Sequence, residues 1–162
     1  MSKGREVRFY DYVNRPYDRV SAALKQDPLS VFRSATKAAA ARAQSVAVEL
    51  HVDIGGVGVK SDINVSVTGI EEKTDATLGP TTRLALEWEA ATTPRLFPLM
   101  RGQLVAYALT RTETQLDFSG TYEPPLGVVG ITLDAIAGHR IAEASVHRFV
   151  DDVAAHLRET LE

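Results

Sequence analysis

The side chains in this chain with most to offer chemically are four histidines, and there is no cysteine to act as nucleophile or thiolate ligand. His139 stands out. It sits one residue after Gly138, at the head of a segment whose apolar residues recur at helical spacing. An imidazole there can bond a ligand oxygen or pass a proton near neutral pH. The plainer reading is a histidine at a bend, bonded to a carbonyl or to water. Tyr122 and Trp88 are the other polar-tipped candidates, since a buried phenol or indole N–H needs a partner and a ligand can be that partner.

Other constellations fail on inspection. His51 alternates with Glu49 and Asp53 on one strand-like face, with Asp62 and Asn64 as possible neighbours. Mixed imidazole and carboxylate suits a divalent cation, but alternation turns this face away from the core, where polar residues need no special reason. His147 and Asp151 are spaced i, i+4 and read as a solvated helix-surface pair; His156 is similar. The run Ile54-Gly55-Gly56-Val57-Gly58-Val59-Lys60-Ser61 has Val59 where a phosphate-binding loop needs glycine, and strand periodicity follows where a dinucleotide fingerprint needs a helix. It reads as a hairpin turn. No Gly-x-Ser-x-Gly elbow occurs, and Glu87 and Glu89 flank Trp88 on the solvent side, so no buried acid pair is indicated. No metal or cofactor is expected.

The elements that must position His139, Tyr122 and Trp88 follow from periodicity. Glu6–Val13 has strand composition and stops at Asn14-Arg15-Pro16. Pro16 suits a first helical turn, with Val20, Ala23 and Leu24 at helical spacing. Asp27-Pro28 starts a second helix through Leu29, Val31, Phe32 and Ala35, and the alanine-rich Ala38–Ala43 is either its continuation or a loop. From Val46 to Ile54 every second residue is apolar, and Ile63, Val65 and Val67 alternate likewise, which predicts an antiparallel pair. Glu71–Pro80 reads as a polar loop. Strands are expected around Leu84–Trp88, Gly102–Thr110 and Gln115–Tyr122, with a turn at Thr112–Thr114. Pro124-Pro125 ends the sheet. Val146, Phe149, Val150, Val153, Leu157 and Leu161 then form one apolar stripe; Ala142–Leu161 alone spans about 30 Å as a helix.

Extended back to Val128 without interruption, that helix would bring His139 to the stripe's centre and turn Ile141 away from it. The conflict predicts a kink or break near Gly138, because glycine weakens helix interiors.

Length and composition set the outer bounds. A chain of 162 residues, 44% hydrophobic and 24% charged, with a net charge of −3, is of ordinary globular make-up. It is expected to form one domain over residues 1–162 and to bury roughly 68–70% of its unfolded surface. The charge offers nucleic acid no electrostatic attraction. No run of 18 or more apolar residues is present for a membrane span, and the polar start, Met1–Glu6, has no signal-type apolar stretch behind it. A cytoplasmic protein is the expectation.

Strand, two helices, further strands and a closing long helix is an order that resembles the START-like, helix-grip superfamily, which includes birch-pollen-allergen-like proteins and the polyketide cyclase/dehydrase and lipid-transport group. "LFPLM" at Leu96–Met100, "TQLDFSGTYEPPLGVVG" at Thr114–Gly130 and "RIAEASVHRFVDDVAAHL" at Arg140–Leu157 are similar to bacterial members. The resemblance implies an α+β fold, a seven-stranded antiparallel sheet around the C-terminal helix, with two short helices after the first strand; the sequence pattern itself gives six strands, so a six- or seven-stranded sheet is expected. The seventh strand would come from Val57–Lys60 or from near Phe97. It also implies a cavity for a small hydrophobic or amphipathic molecule. Members include carriers, cyclases, hydrolases and chaperone co-factors, so the fold does not choose among them. The expected lining is Phe9, Leu50, Val65, Leu86, Trp88, Phe118, Tyr122, His139, Val146 and Phe149; alternatively these residues fill the space by packing on one another.

Overall fold

The computed structural model describes residues 5–49, 63–90, 99–123 and 135–161. Among them are five strands, β1 (Arg5–Val13), β2 (Ile63–Asp75), β3 (Gly79–Ala90), β4 (Leu99–Ala108) and β5 (Thr114–Glu123), and three helices, α1 (Tyr17–Gln26), α2 (Pro28–Glu49) and α3 (Ala135–Thr160). The sheet is antiparallel throughout, in the order β1-β5-β4-β3-β2. Helix α3 runs along β1, α2 contacts β2, and the two helices pack on each other. This is the α+β arrangement of a sheet holding a long C-terminal helix.

Three expectations change. Helix α2 is not short, and Val46 belongs to it rather than to a strand. Buried Val31, Ala35, Ala39 and Ala43 stand at steps of four, with Val46 three residues on, so one stripe carries the helix through the alanines. The alternation shares Val46 with that stripe; Leu50–Ile54, His51, the Gly55-Gly56 turn, Val57–Lys60 and Phe97 lie outside the described residues. Strand β2 therefore pairs with β3, and the segment foreseen as a loop is mostly ladder, running to Asp75 and resuming at Gly79. Its polar composition reflects exposure on both faces. The real turn is Ala76–Leu78, where the Asp75 carboxylate accepts from the backbone N–H of Thr77 (2.8 Å) and Leu78 (3.0 Å), and Gly79 takes a φ of +78°. Asp27 caps α2 as its sequence suggests, accepting from Ser30 N at 3.2 Å; Pro16 precedes α1 instead of opening it.

The third change concerns α3, which passes Gly138 without interruption. Ile141 is buried and His139 is half-buried, the reverse of the expected phase. The buried residues fall in two rows of step four: Gly138, Ala142, Val146, Val150 and Ala154, and Ile141, Ser145, Phe149, Val153 and Leu157. Four residues turn an α-helix by about 400°, so each row advances roughly 40° per step around the axis. The apolar face winds, and no kink is needed. Helix α2 has the same two-row pattern (Val31, Ala35, Ala39, Ala43 and Phe32, Thr36), and such ridges interdigitate when helices cross at about 50°.

The core fills the sheet's inner face row by row. One row joins Phe9, Phe118, Leu104 and Leu84 across four strands. The next joins Val7, Gly120, Gly102 and Leu86, and the third joins Arg5, Tyr122, Met100, Trp88 and Val65. The two glycines leave a gap that the Phe118 ring covers: a Cβ on Gly102 would meet Phe118 Cζ at 2.5 Å and Ser119 O at 2.9 Å. Trp88, Phe118 and Phe149 stack and tilt on that floor with centroids 4.7–5.8 Å apart, and Phe32 of α2 adds a ring 5.6 Å from Phe149. Replacing Gly102 with Ala is expected to cost about 1–3 kcal/mol, the usual range for overpacking, read as a lower midpoint in chemical denaturation; an unchanged midpoint would remove the glycine floor from this account.

Candidate functional site

The strongest polar cluster touching the interior lies at the end of the third row. Tyr122, 1% exposed, projects from β5 toward α3, and its Oη lies 2.9 Å from His139 Nδ1. His139 Nε2 is 3.2 Å from Glu143 Oε2, one helical turn further on. A carboxylate accepts, so the neutral-imidazole tautomer that serves both contacts is the one with its proton on Nε2 and Nδ1 accepting from the phenol. Exposure falls inward along this line, with the side chains of Glu143 at 51% and His139 at 38%. Arg5, the register partner of Tyr122 across β1 and β5, brings its guanidinium beside the phenol.

These neighbours act on the phenol in opposite senses. Burial is the largest effect and raises the Tyr122 pKa above the ordinary tyrosine value; Arg5 pulls it down by charge and hydrogen bonding, and Glu143 adds a further upward push. The net direction is up, so the phenol stays protonated at neutral pH. Tyr107 is also raised, by burial and by Asp117.

Of the residues expected to line a cavity, Leu86, Trp88, Phe118, Tyr122, Val146 and Phe149 are buried on the inner face or on the facing helix. Trp88, Phe118 and Phe149 are in ring contact. Phe9 is half-buried and stacks instead on His147, centroids 3.9 Å apart. Val65 is half-buried beside an open surface groove of about 390 Å³ that it shares with Pro28, Leu29, Val67 and Ile70. Leu50 lies outside the described residues. His139 meets the cluster through Tyr122, in a continuous helix rather than at a bend.

Two contributors were not foreseen. Glu143 was legible as an i, i+4 partner of His139. Arg5 required the β1–β5 register, which no local pattern reveals. A second titratable cluster also went unnoticed: Asp11 on β1 and Asp151 on α3 hydrogen-bond each other, and burial followed by this contact raises the Asp151 pKa, opposed by His147 and Arg148. His147 and Asp151 are thus tied to β1 and are not a free surface pair. Among the described residues no group of three or more His, Asp or Glu side chains is arranged to hold a metal, and no helix is long and apolar enough to cross a membrane.

No family model and no curated protein sequence matches the chain. Solved structures do. The Zhui aromatase/cyclase from a Streptomyces strain superposes with a TM-score of 0.52 at 15% identity, covering 99% of this chain and 97% of its own. A conserved protein from Geobacillus kaustophilus gives 0.51 at 14% identity, covering 94% and 95%. Likeness at this identity establishes the fold, and the helix-grip fold is what it establishes.

Because the folded Tyr122 and Tyr107 bind their protons more tightly than in the unfolded chain, stability from both is complete below the ordinary tyrosine pKa of about 10. It declines as pH rises through their folded values. Absorbance titration of tyrosinate is expected to show a late phase from these two phenols, and Tyr122→Phe should remove part of it. A titration in which Tyr122→Phe removes an early step would contradict the buried phenol.

Proposed function

We propose that this chain is a cytoplasmic, single-domain binding protein for a small hydrophobic or amphipathic molecule, held between the sheet and α3, and acting as carrier, sensor or sequestering protein. The observation that carries this reading is the third row of the sheet. Its Met100–Trp88 stretch is an apolar wall, and it ends in one oriented polar pair, Tyr122 and His139. An apolar surface with a few placed polar groups is how small-molecule sites fix both affinity and orientation. Ligand would enter where the half-exposed His139 meets the rim, placing its polar end against Tyr122 and its apolar body over Trp88. No nucleic acid is involved, since the net charge of −3 provides no attraction for phosphate.

A second reading is catalysis on the bound molecule. It is favoured by the contact of a buried phenol with an imidazole, two polar groups that converge and one of which has a shifted pKa. One protein of the same fold is an aromatase/cyclase.

Native mass spectrometry of the chain purified from its own host tests the binding reading. A discrete added mass is expected, lost on mild activation. Returning the released compound at a hundred times its Kd should stabilise the fold by about 2.7 kcal/mol. Trp88→Ala should abolish that stabilisation. The bare chain mass in every charge state, together with no thermal stabilisation by hydrophobic or amphipathic compounds, would overturn the proposal.

A further inference from the structure

We propose that the open edge of β1 is a self-association surface, pairing antiparallel with the same edge of a second copy of this chain about a two-fold axis beside Phe9. The two sheets then continue as one. This surface is separate from the ligand site, and neither reading needs the other.

Strand β1 stands first in the sheet order and, among the described residues, pairs with β5 alone. Within a strand, the N–H and C=O of one residue point to the same side, and successive residues alternate. Tyr12 shows which residues face outward. Its carbonyl accepts from the Arg158 guanidinium of α3, and its N–H donates to the Asp11 carboxylate at 2.7 Å. Both groups of Tyr12 are therefore turned away from β5 and closed off by side chains. Glu6, Arg8 and Tyr10 share its parity, so they present their N–H and C=O groups along the same edge. Among the described residues no side chain seals them. A row of unpaired main-chain groups is a template for another strand. The side chains above that row are also uncovered. Tyr10 (64%) and Tyr12 (50%) are the most exposed of the large apolar residues, and Glu6 and Arg8 are exposed beside them.

The pattern of these side chains selects the occupant. Outward groups must meet outward groups, which leaves three registers that keep both Arg8 and Tyr10 in the overlap. Setting the two Arg8 residues opposite each other brings like charges together, which destabilises a cross-strand pair. Setting the two Tyr10 residues opposite each other puts Arg8 against Tyr12, whose main chain is already occupied. The register centred on Phe9 has neither fault. It places Arg8 opposite Tyr10 of the second copy and, by symmetry, Tyr10 opposite Arg8, each pair exchanging two ladder bonds. Each guanidinium then meets a tyrosine face, the contact that Arg158 already makes with Tyr12 at 5.7 Å. A foreign strand would need arginine and tyrosine at this same spacing. A second copy has them by construction, and one two-fold axis satisfies both pairs.

Two measurements on the full chain test the pairing. Sedimentation velocity from about 1 μM to about 1 mM spans the range of weak self-association. The mass is expected to climb from the 17.6 kDa of one chain towards twice that value. Tyr10→Pro removes an N–H that β5 does not use, and an edge strand tolerates proline there. It should leave the circular dichroism spectrum unchanged and raise the dimer Kd by about thirtyfold, since symmetry removes two ladder bonds at once.

The second measurement does not depend on that variant folding. The chain has no cysteine, so Arg8→Cys and Tyr10→Cys, prepared separately and mixed in equal amounts under oxidised glutathione, report the register. Directly opposed residues lie within disulfide reach, and like positions lie a diagonal apart. The mixed disulfide is expected to exceed each like-with-like disulfide by about tenfold, against the twofold of random pairing. A single-chain mass at every concentration overturns the proposal. So does a dimer that folded Tyr10→Pro leaves undiminished, or a mixed disulfide at only the random ratio.

Discussion

The fold depends on how a sheet with two adjacent glycines fills its own gap. Gly102 and Gly120 are register partners on β4 and β5, and neither leaves space for a side chain of its own. The Phe118 ring lies in the space they vacate, which lets Trp88 and Phe149, themselves in ring contact, pack against it. Each fully buried aromatic removes a large apolar area from water, and ring contact adds about 0.5–1.5 kcal/mol beyond that area. Because Phe149 belongs to α3 and Phe32 to α2, the same cluster sets how both helices sit on the sheet. Position along the chain is then transmitted outward from this one contact.

The far end of α3 is held by different chemistry. Arg15, in the link after β1, donates to the carbonyls of Leu161 (2.6 Å) and Arg158 (2.9 Å), groups that a helix C-terminus leaves without partners. Arg158 reaches back to the Asp11 carboxylate and the Tyr12 carbonyl. Thr114, at the start of β5, donates to Arg15 O, so both edges of the β1–β5 pair are tied into the same knot. Buried hydroxyls pin α1 in the same way, with Tyr17 and Ser21 both bonding Thr82 of β3. Polar ties at the C-terminal end and aromatic packing in the middle leave the N-terminal turn of α3 as the place where an exposed side chain meets the interior.

The sequence was most readable where one period acted alone. Leu84, Leu86 and Trp88 alternate cleanly, as do Leu116, Phe118 and Tyr122, and these strands are where the pattern put them. Reading failed where two periods coincided. Val46 fits both a two-residue alternation and the step from Ala43, and only the packing of α2 on α3 decides for helix. Glu71–Asp75 looked like loop because neither face is buried, so the ladder had no hydrophobic signature. For the site, His139 and Tyr122 were visible as residues with unmet needs, but their contact was not, since it joins a strand to a helix across the sheet's end. Arg5 was invisible for the same reason: register is a long-range property.

The winding of the buried stripe is what makes His139 chemically unusual. On a straight helix His139, Val146, Val150 and Leu157 project in nearly one direction, at about 100° per residue. The last three are buried, so a stripe of fixed direction would bury the imidazole as well. Desolvation would then hold it neutral and cut it off from water. Because the stripe turns by roughly 40° every four residues, the covered face at the level of Ile141 and Ser145 has moved aside, and the imidazole is left at the rim. There Nδ1 faces a buried phenol and Nε2 faces a carboxylate in water. A helix packed along rows of step four therefore achieves two things with one geometry. It seals the aromatic core over its C-terminal half, and at its head it leaves one titratable ring bridging the core and the solvent.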